Sequence, residues 1–470
     1  MASEAARNPK NWKKTSDKYG YYFIPMKEKL GYASIDFAMN LVFQCIALYI
    51  SYFYTDIFGL KPAHVALLFL FSRFWDAVND PMMGTFVERV NPKKGKYWVY
   101  VMWGSIPFGV VAVLAYSTPN WGYTAKLIWA AITYNLLNML YTFIIQPYAS
   151  AASIMTNDPE QRTNMQSIRM TLAQAGGVVC AIMLPNLSGF LTRYMTLAQG
   201  YMVTTIIMAV VMIVVLQWGS HQMVERIPVA PPDPADKPNL KTIFQVITLG
   251  PVFVALLLFL GVYTISQLSA TMGAYYIQYY AGREDMISTF SMLLMLASVV
   301  GVPCTPFLTR TIKKKPTVIL GLAFCAVGSF IIYFMPQSGL TGMLVGRFVV
   351  GFGYGILMGI LWSLVTDPIE YVHWKTGRNL AAITLTLVGL GLKFAMVIGG
   401  SLPNAMLSAA GYVAGQEQTA ECLGTIKFLM GMLPGVVAIA TIVIFAVFYK
   451  LDEAKIESMQ ADIAKREGLE

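Results

Sequence analysis

Long apolar runs recur along the whole 470-residue chain, and they constrain its fold more than any other feature. A helix that crosses a bilayer needs about 20 mostly apolar residues. Runs of this kind lie near residues 30–56, 62–87, 98–117, 125–153, 165–192, 199–219, 243–280, 287–309, 316–335, 340–366, 379–412 and 424–449. The sequence therefore predicts an all-α membrane protein with twelve transmembrane helices.

The low charge of the chain supports this prediction. Only 13% of the residues are charged and 56% are apolar, whereas a soluble domain devotes about a quarter of its residues to charge. Lipid is the solvent that tolerates such a balance. Residues 1–29 are largely polar and lack the apolar core of a cleavable signal peptide, so we expect the chain to start in the cytoplasm and the first apolar run to direct insertion.

A polar interval with a Pro-rich stretch divides the apolar runs into six and six. Two repeated halves are typical of transporters that bind their solute between the halves, near the middle of the membrane. The predicted organisation is a cytoplasmic segment 1–29, a six-helix bundle 30–220, a cytoplasmic linker 221–242, a second bundle 243–450 and a cytoplasmic tail 451–470. Alternating charged and apolar residues predict a short amphipathic surface helix in that tail.

Lysine and arginine concentrate in the intervals after the second, sixth and eighth runs. These residues are Arg89, Lys93, Lys94, Lys96, Arg226, Lys237, Lys241, Lys313, Lys314 and Lys315. The intervals after odd-numbered runs carry few, with Lys61 and Arg193 the clear cases. Cytoplasmic loops hold such an excess, so we predict that both termini are cytoplasmic and that the protein lies in the cell (inner) membrane. The net charge of +9 thus indicates membrane topology and no nucleic-acid partner.

Ionisable residues inside the apolar runs are the strongest functional signal, because each costs about 2.5–3.5 kcal/mol or more at a helix centre. They are Asp36, Arg73, Asp76, Asp80, Arg169, Arg347 and Lys393. Arg347 lies near an external helix end, where we expect its side chain to extend toward water. Five scattered cysteines show no metal-binding spacing and are expected to be small buried hydrophobes, and no cofactor is predicted.

Asp76 and Asp80 stand four residues apart, which places both carboxylates on one helix face with Asn79 beside them. Two carboxylates and an amide oxygen suit a small cation. The same pair could hold a proton, since close carboxylates raise each other's proton affinity. A structural role in neutralising nearby Arg or Lys side chains is the alternative interpretation.

Two features near the end of the tenth run also have two interpretations. Trp362 is a stacking platform for a sugar or an interfacial anchor. Asp367, Glu370, Lys375 and Arg378 form either the salt bridges of an inner gate or a solvated loop.

The run Phe74–Gly84, FWDAVNDPMMG, resembles the second-helix signature of the glycoside–pentoside–hexuronide:cation symporters. Tyr54–Asp56, Asn157–Arg162, Thr366–Tyr371 and Ala414–Thr419 extend the resemblance, which covers residues 26–455. It implies a major-facilitator fold that works by alternating access, with a sugar as the solute and a cation as the driving partner. We expect a monomer surrounded by lipid.

The resemblance also implies the site residues. The cation site, for Na⁺ or H⁺, would comprise Asp76, Asn79, Asp80 and Thr142, and the complete set favours Na⁺. The substrate site between the halves would comprise Asp36, Phe43, Gln146, Arg169, Trp362 and Lys393.

Three departures from the family pattern refine the expected substrate. Ile145 stands where members carry a second sugar-binding carboxylate, Ala149 replaces a tryptophan, and Asn379 occupies a usual arginine position with Arg378 displaced by one. Losing an acid while keeping two basic residues shifts the pocket toward positive charge, so we predict an acidic sugar such as a glucuronide or another uronide.

Other functions are less compatible with the sequence. The alternatives are an H⁺-coupled symporter of a neutral pentoside or hexoside and, more remotely, a sugar sensor that does not transport. A membrane enzyme would need a polar domain, and the longest polar interval, 221–239, is too short to form one. We therefore predict that the protein is not an enzyme.

Overall fold

The computed structural model describes residues 13–16, 21–90, 92, 95–156, 158–227, 240–377, 380–451, 455, 456, 458, 459 and 462. Several sequence predictions lie outside these residues: the character of residues 1–12 and 463–470, the Pro-rich part of the linker, and the positions of Lys93, Lys94, Arg378 and Asn379. The chain divides into two compact units, Met1–Asp233 and Pro234–Glu470, and the division falls within the predicted linker.

The first unit opens with two short antiparallel strands, β1 (Lys14–Ser16) and β2 (Tyr21–Tyr22). Six long helices follow: α1 (Met26–Cys45), α2 (Pro62–Arg89), α3 (Trp98–Ala115), α4 (Tyr123–Met155), α5 (Pro159–Leu191) and α6 (Leu197–Gln222). Two π-helical turns, Ile46–Ile50 and Phe53–Ile57, extend α1.

The second unit begins with a short helix, Leu240–Ile247, and continues with α7 (Gly250–Tyr275), α8 (Ile287–Ile312), α9 (Lys314–Phe334), α10 (Leu340–Leu364), α11 (Ala381–Ala409) and α12 (Ala420–Phe448). Tyr276–Tyr280 forms a π-helical turn after α7, and Glu284–Met286 a 3-10 turn before α8. Thr366–Thr376 forms a helix directly after α10, and Phe428–Met432 is a π-helical turn inside α12.

Eleven helices of the described chain are long and apolar enough to cross a membrane. The remaining long helix, α2, has 28 residues and is therefore about 42 Å long, but charged side chains interrupt its apolar run. Together these helices confirm the all-α, multi-pass membrane architecture.

Helix boundaries differ from the apolar runs where polar residues continue a helix. α1 begins at Met26, inside the predicted segment 1–29, and α5 begins at Pro159, where proline suits the first helical turn. The predicted run 243–280 is two helices, because the chain breaks before Pro251 at the start of α7. The apolar runs thus predict which part of a helix lies in lipid, whereas proline and polar residues determine the residue at which the helix starts.

Within the first unit, α1 packs against α5 and α6, and α2 packs against α4. Close approach of α1 and α5 requires glycine at one point: a Cβ atom on Gly176 would collide with the carbonyl oxygen of Phe37. Small residues of this kind let helices approach closely in lipid. This contact lies beside Asp36, which precedes Phe37 on α1.

Within the second unit, Arg347 corrects a sequence prediction. Its side chain does not extend toward water but is 0% exposed. It donates to the carbonyl oxygens of Ser269 on α7 at 3.0 Å and Phe290 on α8 at 3.1 Å, and its guanidinium lies 4.5 Å from the centre of the Phe290 ring. The prediction was wrong because carbonyls of neighbouring helices supply the acceptors that water would otherwise provide.

The end of α10 is tied into the second unit by Asp367, which is buried. It forms an ion pair with Lys314 at 2.9 Å and accepts a hydrogen bond from the Tyr449 hydroxyl at 3.0 Å. Asp367 is therefore not part of a solvated loop. In the tail, Leu451 and Met459 belong to the apolar core of the second unit.

Candidate functional site

Side-chain hydrogen bonds join α2 and α4 at successive levels. Arg73 on α2 donates from Nη2 to the Tyr134 hydroxyl of α4 at 3.1 Å. Further along α2, the Oδ1 atom of Asp80 accepts a hydrogen bond from the Thr142 hydroxyl at 3.1 Å. The backbone carbonyl of Asp80 accepts another from the Gln146 amide at 3.2 Å. These bonds fix the register of α2 against α4.

The four predicted cation ligands lie on these two helices. Asp76 is one helical turn before Asp80 and pairs with Arg73 at 2.9 Å. Asn79 is only 2% exposed, and its side-chain nitrogen has no hydrogen-bond partner among the described residues. Carboxylate, amide and hydroxyl oxygens are the hard ligands that small cations prefer. No cluster of three or more His, Cys, Asp or Glu side chains suited to a metal occurs in the described residues.

A second polar cluster joins α1 to α5. Asp36 on α1 pairs with Arg169 on α5 at 2.6 Å, and both side chains are largely buried. Asn40, one turn along α1, donates to the Oδ1 atom of Asp36 at 2.9 Å, and Arg169 donates to Gln166 at 3.2 Å. This pair carries opposite charges held in fixed positions and presents both donors and acceptors.

Aromatic side chains of α4 line this second cluster. The guanidinium of Arg169 lies 4.8 Å from the ring centre of Tyr148, which stacks on Tyr32 with ring centres 4.6 Å apart. Phe43, a predicted aromatic contact of the sugar, stacks on Tyr141 with ring centres 4.7 Å apart. Stacked aromatic rings therefore lie beside the hydrogen-bonding groups of Asp36 and Arg169.

Helix α4 takes part in both clusters. Tyr141 stacks on α1, while the next residue, Thr142, bonds to α2. One to two turns further along α4, Gln146 again bonds to α2, while the ring of Tyr148 contacts Arg169 on α5. Pro147 separates the last two and cannot donate a backbone hydrogen bond, which favours a bend there. A shift of α4 would therefore change both clusters together.

Of the predicted substrate residues in the first unit, one, Gln146, bonds to a different helix from the others. Asp36, Phe43 and Arg169 belong to the cluster on α1, α4 and α5, whereas the hydrogen bond of Gln146 runs to α2 beside Asp80. Sequence reasoning missed Asn40, Tyr32, Tyr141, Tyr148 and Gln166. The spacing of Asn40 four residues after Asp36 was the available signal, whereas the tyrosines resembled ordinary membrane aromatics.

The remaining two predicted residues, Trp362 and Lys393, lie in the second unit. Trp362 on α10 is 45% exposed and meets Phe259 of α7 edge-on, with ring centres 5.2 Å apart. Lys393 lies on α11 and is partly buried. The indole of Trp362 thus contacts Phe259 and keeps much of its surface exposed.

The long apolar helices and the ion pairs buried among them are those of a multi-pass membrane protein, and comparison with known proteins identifies its class. The family model described as MFS/sugar transport protein matches residues 31–453, so the chain belongs to this family. Its members are membrane transporters and not enzymes.

Individual relatives cover nearly the whole chain. The uncharacterized symporter YnaJ of Bacillus subtilis is 32% identical over 94% of this chain and 96% of its own. The isoprimeverose transporter of Lactiplantibacillus pentosus is 29% identical, over 95% and 93%. The glucuronide carrier protein homolog of Escherichia coli is 26% identical, over 94% and 96%.

The fold likeness extends to solved structures of low sequence identity. A bacterial homolog of the human lysosomal transporter Spinster, solved inward-facing and unoccupied, aligns with a TM-score of 0.67 and 15% identity. The alignment covers 91% of this chain and 99% of that one.

Proposed function

We propose that this protein is a secondary active symporter that moves a sugar-like solute together with a cation by alternating access. The observation that carries the proposal is the shared use of α4: consecutive residues, Tyr141 and Thr142, serve the α1 cluster and the α2 cluster respectively. A symporter requires such a connection, because each ligand must raise the affinity for the other by the same factor.

The coupling cation in this proposal binds at Asp76, Asn79, Asp80 and Thr142. Arg73 compensates the charge of Asp76 while the cation is absent. A bound cation competes with Arg73 for the Asp76 carboxylate and is also coordinated by the Thr142 hydroxyl. Movement of Thr142 then repositions Tyr141 and the sugar-binding surface. Na⁺ is the proposed ion because neutral oxygen ligands accompany the carboxylates.

The residues that we propose as solute contacts are Asp36, Phe43, Arg169, Trp362 and Lys393. Gln146 takes part through its position on α4. The buried Asp36–Arg169 pair accepts from and donates to hydroxyl groups, and the flanking aromatics provide an apolar surface.

The preferred solute is an acidic sugar, such as a glucuronide or another uronide. Asp36 offsets the charge of Arg169, and Ile145 removes an acid that the family pattern would place on α4. Lys393 on α11 is the proposed partner of the substrate carboxylate. The name of one relative, the glucuronide carrier protein homolog, fits this choice.

A neutral pentoside or hexoside, driven by H⁺, is the second candidate. The Asp36–Arg169 pair has no net charge, so it suits neutral hydroxyls as well as an acid. The isoprimeverose transporter among the relatives favours this candidate. In either case we propose a monomer in the inner membrane with both termini cytoplasmic.

Uptake into proteoliposomes separates these candidates. A labelled glucuronide and a labelled neutral xyloside are each offered with an inward Na⁺ gradient, an inward H⁺ gradient or no gradient. Accumulation of the glucuronide with Na⁺ alone supports both preferences. Accumulation of the xyloside with H⁺ alone supports the second candidate instead. If neither gradient drives accumulation of either solute, symport of both classes of solute is contradicted.

A further inference from the structure

A stripe of polar side chains follows one side of α4 at a spacing of four residues: Tyr134, Asn138, Thr142 and Gln146. Residues four apart lie one helical turn above another on the same side of a helix. Three members of the stripe donate to or accept from α2. The stripe therefore faces α2 along its length.

Asn138 lies on α4 between Tyr134 and Thr142, both of which form hydrogen bonds with α2. Tyr134 bonds to Arg73 and Thr142 bonds to Asp80, so the level of Asn138 on α4 corresponds to the turn of α2 between those two residues. That turn contains Asp76. The register thus places Asn138 at the level of Asp76, the first carboxylate of the proposed cation site.

The side chain of Asn138 is buried and incompletely bonded. It is 6% exposed, and its Nδ2 atom has no hydrogen-bond partner among the described residues. Leaving a polar group of this kind buried and unpaired costs about 1–3 kcal/mol. The two ends of an amide have nearly the same shape, so rotation by 180° presents the oxygen where the nitrogen lay.

Asn79 of α2 has the same combination of burial and an unbonded side-chain nitrogen. Thus two buried amides, one on each helix of the proposed cation site, have a side-chain nitrogen without a hydrogen-bond partner among the described residues. Amide oxygens are good ligands for a hard metal cation, whereas a proton needs only a carboxylate.

We propose that Asn138 is a further ligand of the coupling-cation site and determines its preference for a small metal cation such as Na⁺ over H⁺. The proposal rests on the cation site proposed above. Asn138 would contribute its side-chain oxygen alongside the carboxylates of Asp76 and Asp80, raising the number of neutral oxygens on the α4 side.

The test measures Na⁺ binding to the purified full-length protein without any sugar. Thermal stability is followed while NaCl replaces choline chloride at constant ionic strength. We expect Asn138→Ala to raise the half-maximal Na⁺ concentration roughly tenfold or more. Asn138→Asp, which keeps a side-chain oxygen, should retain Na⁺ stabilisation and also serves if the alanine variant fails to fold.

Thr133→Val is the matched control, because Thr133 is a buried polar residue of α4 whose hydroxyl is satisfied by the carbonyls of Trp129 and Ala130. It should leave the Na⁺ response unchanged. The decisive comparison includes Asp80→Asn. If Asp80→Asn abolishes the Na⁺ response and Asn138→Ala leaves it within twofold, Asn138 is not a ligand.

If Asp80→Asn also leaves the Na⁺ response intact, the proposed cation site itself is wrong. Uptake provides a second readout. Asn138→Ala should lose Na⁺-driven uptake, and an inward H⁺ gradient should drive uptake in its place, because protonation of a carboxylate does not need the amide. Uptake driven by neither gradient would indicate a packing role and contradict the assignment.

Discussion

Single buried charges dominate the behaviour expected of this transporter at the residue scale. Asp36 and Arg169 were identified from the sequence because a charge inside an apolar run is conspicuous. Their pairing at 2.6 Å could not be predicted from the sequence, since it depends on how closely α1 approaches α5. Arg347 shows the same limit: the sequence revealed the charge, but the carbonyls of Ser269 and Phe290 that accept its hydrogen bonds could not be predicted.

Breaking the Asp36–Arg169 pair should reduce stability and transport together. Arg169→Ala leaves a buried carboxylate uncompensated, which costs about 3–5 kcal/mol. The double variant Asp36→Asn, Arg169→Gln removes both charges and should regain thermal stability but not transport. Thermal unfolding and sugar uptake measure the two effects separately. Full transport by the double variant would show that the pair has no role in solute binding.

Lys393 should matter more for an acidic solute than for a neutral one. Lys393→Ala removes the positive charge that we assign to the substrate carboxylate, so binding of a glucuronide should weaken far more than binding of a neutral glycoside. Competition assays with both solutes on the same membranes measure the ratio. Equal losses for the two solutes would argue against a carboxylate partner at this position.

At the scale of helices, the register between α2 and α4 and the placement of helix ends determine which residues meet. Apolar runs predicted the helices well but not their ends, because the starts of α1 and α5 depend on proline and polar residues. The sequence placed Gln146 in the substrate site, whereas the register places its amide against the carbonyl of Asp80. Such contacts depend on the rotation of one helix about its axis, which periodicity alone does not fix.

Arg73 should assist the return of the empty carrier. Its pairing with Asp76 at 2.9 Å compensates a carboxylate that would otherwise be charged when the cation has left. Arg73→Gln should therefore slow net uptake while preserving exchange of labelled for unlabelled solute, in which the carrier stays loaded. Parallel measurement of net uptake and equilibrium exchange tests this expectation. An equal decrease in both would assign Arg73 to structure instead.

The start of α3 depends on a carboxylate from the end of the first unit. Glu225 accepts hydrogen bonds from the backbone N–H groups of Lys96 and Tyr97 at 2.6 Å and of Trp98 at 3.1 Å. These groups have no acceptor within the helix, and a negative charge suits this end of it. Glu225→Ala should destabilise the protein by about 1–2 kcal/mol.

Glu225→Gln keeps an acceptor oxygen and should lose less stability than the alanine variant. Thermal unfolding of both variants in detergent measures the difference. Unchanged unfolding of Glu225→Ala would show that solvent satisfies the start of α3 equally well.

For the whole molecule, sequence and fold agree on a transporter of the MFS/sugar transport protein family. The count of apolar runs, the polar interval near the middle and the density of buried charge were all readable from the chain. The identity of the solute is harder to predict from the sequence, because it depends on a few side chains such as Ile145 and Lys393. The effects of these side chains are small compared with those of the apolar residues that specify the fold.

The central claim is that cation binding on α2 and α4 drives sugar accumulation. The most direct measurement is accumulation of labelled glucuronide in proteoliposomes under an inward Na⁺ gradient, comparing the natural protein with Asp76→Asn, Asp80→Asn and the control Thr133→Val. We predict that the natural protein and the control raise the internal concentration above the external one, and that both aspartate variants do not. Normal accumulation by both aspartate variants would contradict the account.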